Sequence, residues 1–185
     1  MGANELTMSA SSIRRLQVVL LVLFFGGAAI VWPHLPPRIA IHFGFSGRPD
    51  RWVSTTWIAW FGLPLLAAAT TLFLLGIDRL LQRSPQMWNV PEKERFLRMS
   101  AAEREPIESA VHRLVAWCAV LITCSFIGAE LEVYRSARVT AVPGWAVQLL
   151  VWTPAILVLV LVLRMNRFIR KQIRRGGATQ GHASA

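Results

Sequence analysis

The chain has 185 residues, 54% of them hydrophobic, and a formal charge of +10 at pH 7. With a mean hydropathy of +0.45, this composition argues against an ordinary soluble domain and for one whose solvent is partly lipid. The basic residues stand beside apolar runs rather than in one patch, so membrane orientation accounts for them and nucleic acid is not an expected partner.

A bilayer core of ~30 Å takes about 20 residues of helix. In chain order, the first apolar stretch follows Arg14 and Arg15 and predicts a span over 16–33. Ser12-Ile13-Arg14-Arg15 faintly resembles a twin-arginine leader. The apolar run is long, however, no clean cleavage site follows it, and three further spans come after. Gly26-Gly27-Ala28-Ala29 are small enough to let a neighbouring helix come close.

The loop 34–56 is the most distinctive segment. Pro36 and Pro37 hold the backbone extended. Ile39, Ile41 and Phe43 then alternate with Arg38, Ala40 and His42, the period of a strand with one apolar face. Gly44 and Gly47 permit tight turns, Pro49-Asp50 permits another, and Asp50 or Ser54 is a candidate cap for the next helix. Trp52 serves as an interfacial anchor. The loop therefore reads as an ordered element on the membrane surface.

The second span is predicted over 57–77. It carries the small run Ala67-Ala68-Ala69-Thr70-Thr71 and a kink at Pro64. In the loop 78–111, Pro91 suits a first helical turn, and Phe96, Leu97 and Met99 among charges suggest a short interfacial helix. Ser100-Ala101-Ala102-Glu103 reads as a capping box that opens a helix toward span three. That span, 112–133, is the weakest. It must hold Arg113 and Glu130 at its ends, where long side chains reach headgroups. Cys118 and Cys124 lie six apart on it, ~9 Å along a helix axis, too far for a disulfide. Glu132 and Arg135 are spaced to pair, with Arg48 or Arg51 as alternative partners across the loops. The fourth span, 145–164, contains Pro154, and residues 176–185 are expected to be flexible. The fold class is all-α: a single four-helix transmembrane domain over 1–175.

Fifteen of the twenty basic residues fall in the N-terminal segment, the central loop and the tail. The positive-inside rule then puts these segments in the cytoplasm of a bacterial inner membrane and the loop 34–56 outside. Trp32, Trp52, Trp57 and Trp145 cluster at the outer ends of the spans, as amphipathic rings prefer. On the tail, Arg164, Arg167, Lys171 and Arg174 recur at helical spacing and form a basic face for anionic lipid headgroups, at ~1 kcal/mol per residue. A cytoplasmic regulator docked there is the sharper alternative.

Leu35, Pro36, Ile39, His42, Phe43, Gly47, Pro49, Asp50 and Trp52 follow the pattern L-P-x-x-I-x-x-H-F-x-x-x-G-x-P-D-x-W. Asn89, Pro91 and Lys93 supply a second segment, N-x-P-x-K. Together they resemble a bacterial membrane family known only as a domain of unknown function, number sixteen forty-eight, which also forms the N-terminal part of SdpI-type immunity proteins. The chain departs from that family in having Ser54-Thr55-Thr56 where a Lys often follows the tryptophan, and little room for the further membrane segment of SdpI-type proteins. The resemblance implies immunity against a secreted toxic peptide and signalling by holding a cytoplasmic repressor at the membrane.

Among titratable groups His42 stands out, either as a sensing or ligand contact or as a structural hydrogen bond to Asp50. His42, Asp50, Gly47 and Trp52 are the sensing candidates. His34, His42, Asp50, Glu130 and Glu132 match no metal-ligand spacing, and no cofactor is expected. No nucleophile stands beside a base and no carboxylate pair is evident, so no catalytic residue is assigned. No ionisable residue is expected near the middle of a span, which argues against an ion-driven transporter. Three readings remain: a non-enzymatic sensor or resistance factor, a transporter or enzyme working around Pro64 and Pro154, and a structural subunit of a larger complex.

Overall fold

A computed structural model describes residues 8–44, 46–138 and 143–183. Helix α1 spans Ala10–Val31, and a 3-10 turn at Trp32–His34 leads into a hairpin of strands β1 (Arg38–Phe43) and β2 (Pro49–Ser54). Helix α2 follows at Trp57–Arg83, then a 3-10 turn, a short α3 (Lys93–Arg98), α4 (Ala101–Ser136) and α5 (Gly144–Ala183). Four of these helices are long and apolar enough to cross a membrane, each reaching beyond its expected span. The protein is thus a multi-pass membrane protein, all-α but for one hairpin.

The helix starts are set by side-chain caps. Ser9 accepts from Ser12 N at 3.2 Å to begin α1. Thr56 Oγ1 accepts from Ala59 N at 3.2 Å to begin α2, so neither Asp50 nor Ser54 is the cap. The Ser-Thr-Thr run is in fact structural. Thr55 donates to Pro36 O at 2.6 Å and closes the base of the hairpin, while Thr56 opens the helix. At the start of α4 the capping box forms as its spacing predicts. Ser100 N and Oγ donate to the Glu103 carboxylate at 2.8 and 2.9 Å, which holds that carboxyl below its usual range.

The helices run up and down around α4, on which α1, α2 and α5 all pack. At one end the start of α1 meets α4 through Ile13, Ala116 and Val120. Beside it Trp88, Phe96, Ile107, Val111, Ile169 and Ile173 join the connection before α3, α3 itself, α4 and the end of α5. Pro91 lies before α3 rather than in its first turn, and Glu92 caps that helix in the left-handed region. Phe96 is not interfacial: it is fully buried and stacks on Trp88 at 5.5 Å. This is the basic end. At the hairpin end Ile39 of β1 is fully buried with Ala28 of α1 and Trp60 of α2, against Val133 and Tyr134 of α4.

One small-residue expectation needs correction. A Cβ added to Gly26 or Gly27 would meet nothing within 4 Å, so these glycines face open space rather than a neighbour. The close approach occurs at Gly128 instead, where an added Cβ would stand 2.3 Å from Leu150 of α5. Ala28 and Ala67 are the buried members of their runs. Helix α5 continues to Ala183, into the stretch for which flexibility is the sequence expectation.

Inside the bundle, one side chain ties three helices. Gln17 of α1 donates from Nε2 to Thr71 Oγ1 of α2 and to Thr123 Oγ1 of α4, both at 2.7 Å, and all three residues are buried. Thr71 passes its own proton to Ala67 O at 2.8 Å. In hydrocarbon such groups have no water to turn to, so the bridge fixes how the three helices face one another. Gln17→Ala is expected to lower bundle stability by about 1–2 kcal/mol, measured by reversible unfolding in mixed micelles. Thr123→Ala made on top of it should add little, since the bond is already gone.

Candidate functional site

The chemistry of the bundle collects in α1, α2 and α4. Toward the basic end from Gln17, Arg14 pairs with Asp78 of α2, and His112 Nδ1 of α4 stands 2.6 Å from the other Asp78 oxygen. Gln82 donates to Asp78 from 3.3 Å. The Asp78 side chain is 3% exposed and that of His112 16%, whereas Arg14 is still 37% exposed. Trp88 meets His112 edge-on at 6.1 Å and donates its indole N–H to Leu81 O, which walls the network off. A cavity of about 340 Å³ adjoins it, lined among others by Arg14, Gln17, Thr71, Asp78 and Gln82. This space is lined by more polar side chains than the gap beside the Pro154 kink. Pro64 is buried within α2, and the gap beside Pro154 is mostly apolar but also takes in Glu132, Arg135 and Thr153.

The sequence marks Asp78 as a span boundary, Arg14 as an orienting charge and Thr71 as part of a small-residue run, and does not itself place these with Gln17, His112 and Thr123 inside the bundle. Their spacing carried a signal nonetheless. Arg14 and Gln17 are three apart, Thr71 and Asp78 seven, and His112, Ala116, Ala119 and Thr123 follow one helical face. Glu130 also differs from expectation. It does not reach a headgroup: it is 7% exposed, with Oε1 unpartnered among the described residues. Glu132 and Arg135 do pair, loosely, at 3.8 Å.

Of the sequence candidates, His42 and Asp50 are brought together. They sit on opposite strands of the hairpin with His42 Nδ1 and Asp50 Oδ1 2.6 Å apart, an N–H donating to a carboxylate. Both side chains are more than half exposed, at 63% and 54%. Gly47 has a conformational part. Its φ of 77° lies in the left-handed region, and its N–H donates to Gly44 O at 2.9 Å to close the turn. Pro49 and Asp50 open β2 rather than a turn. Trp52 stands across from Ala40 in the ladder and is partly exposed. The one-faced alternation expected for β1 fails. Ile39 and Ala40 are both buried and Ile41 is 44% exposed, because the pairing register is irregular on both sides of His42.

At the basic end, Asn89 and Lys93 are exposed and flank Pro91. Between them Glu92 accepts from Arg95 at 2.9 Å and pairs loosely with the exposed Arg174 of α5 at 3.9 Å, beside the buried contact of Phe96 with Ile169 and Ile173. Arg167, Lys171 and Arg174 share a shallow groove with Arg170 and Arg175. Arg164 lies apart, facing Arg113 and Trp117 across a gap between α4 and α5. Among the described residues no three His, Cys, Asp or Glu side chains converge on a metal-sized site.

The buried network makes an asymmetric prediction. Arg14 can swing its long side chain toward water, but Asp78 cannot leave the interior. Arg14→Gln should therefore destabilise the fold more than Asp78→Asn, and the double variant should recover part of the loss. Equal losses for the two single variants in micelle unfolding would contradict this.

No curated protein and no solved structure matches the chain. Residues 19–68 match the family model described as "Domain of unknown function (DUF1648)". The matched segment holds most of α1, the whole hairpin and the first part of α2, so the loop motif lies inside it, while Asn89, Pro91 and Lys93 lie outside. The chain has four helices long and apolar enough to cross a membrane, and within it residues 19–68 are similar to DUF1648.

Proposed function

We propose that the protein is a non-enzymatic sensor or resistance factor of a bacterial inner membrane, with the hairpin outside and both termini in the cytoplasm. The observation that carries the reading is the exposed His42–Asp50 pair on a hairpin whose other face is locked into the bundle. A ligand that breaks this hydrogen bond would act on β1, and β1 rests through Ile39 on α1, α2 and α4 together. Charge supports the orientation, since the basic end gathers fifteen of the twenty Lys and Arg residues. The resemblance to SdpI-type immunity proteins favours a secreted peptide as the stimulus. The basic groove of α5 is suited to anionic headgroups and to a cytoplasmic regulator recruited beside them.

His42→Ala and Asp50→Ala should each abolish an envelope-stress or toxin-resistance phenotype while the protein inserts at normal levels. A phenotype unchanged in both variants would remove the hairpin from the mechanism.

A further inference from the structure

Just beneath the hairpin, between α1 and α4, lies a second cavity of about 340 Å³. Its walls are apolar apart from Glu130, and it is bordered by Phe24, Trp60 and Tyr134. Glu130 is buried, and its Oε1 has no hydrogen-bond partner among the described residues. Neighbouring charges do not supply one. Arg135 leans on Glu132, and Arg138 stacks over the Tyr134 ring with its guanidinium carbon 4.5 Å from the centroid. The indole N–H of Trp60 is already given to Ala28 O at 2.9 Å, which leaves the ring surface as what this tryptophan offers.

A lone carboxylate among three aromatic rings in an apolar hollow fits a particular chemistry. Ring faces attract cations, most strongly once water is removed, and a carboxylate in an apolar site needs a paired cation to hold its charge. Such a cation must also be greasy enough to leave water for this depth. A small hydrophilic cation would lose more hydration than the site returns.

We infer that the Glu130 cavity binds a lipophilic organic cation, of the quaternary ammonium or phosphonium class. The site lies directly below Ile39, which shares Ala28, Trp60 and Tyr134 with the cavity wall. Its occupancy is nevertheless a binding property that does not require the hairpin to signal.

The full chain in detergent micelles would be titrated with tetraphenylphosphonium, with tetraphenylborate as a probe of the same shape and opposite charge. Saturable binding of the cation, absent for the anion, is the expected result. Glu130→Gln should weaken it about tenfold or more, with Glu132→Gln close to the parent. If cation uptake equals that of empty micelles, or both ions bind alike, the inference fails. It also fails if a folded Glu130→Gln variant binds as well as the parent. Binding is read without any phenotype, so its loss would leave the role proposed for His42 and Asp50 untouched.

Discussion

Hydrocarbon cannot hydrogen-bond, and that constraint sorts every polar group of this protein. Backbone groups within the bilayer must pair inside helices, which yields the four long apolar elements. Side chains with charge either gather at one of the two ends or find a partner within the bundle. Gln17 with Thr71 and Thr123, and Arg14 with Asp78 and His112, are the internal solutions. Both join the same three helices, so α1, α2 and α4 form a unit specified by polar contacts. Helix α5 packs on α4 through close approach at Gly128 and the apolar cluster at the basic end.

The hairpin obeys the same rule at the surface. Its backbone pairs strand to strand, its turn is made possible by Gly47, and its base is closed by Thr55. Ile39 and Ala40 are fully buried, while His42 and Asp50 meet each other in the open. A polar pair free to meet water thus stands above an apolar plug, a division suited to passing an external event to the helices below. Glu130 and Glu132 are exceptions to the sorting, each with a buried carboxylate oxygen that has no protein partner among the described residues; Glu132 still reaches Arg135 through its other oxygen at 3.8 Å, and of the two only Glu130 lines the apolar cavity.

Much of this was legible in the residues. Runs without charge marked the spans, Ser100 and Glu103 declared their capping box, and the pattern from Leu35 to Trp52 pointed to the family before any coordinates. What escaped was side-chain pairing across helices. Asp78 reads as a boundary charge because nothing local reveals that Arg14, sixty-four positions away, faces it. Gly26 and Gly27 invite a close packing that occurs at Gly128, since small size permits contact without fixing which face meets a neighbour. The second strand was hidden by Pro49 and Asp50, poor strand formers tolerated at the exposed start of β2.

The functional account rests on the proposed orientation, with the hairpin end away from the cytosol. Its direct test is labelling of intact cells by a membrane-impermeant thiol reagent, after Cys118 and Cys124 are replaced by Ser. Trp52→Cys on the hairpin should label without lysis, and Arg170→Cys on α5 only after it. Labelling of Arg170→Cys in intact cells with Trp52→Cys protected would place the hairpin inside and contradict the account.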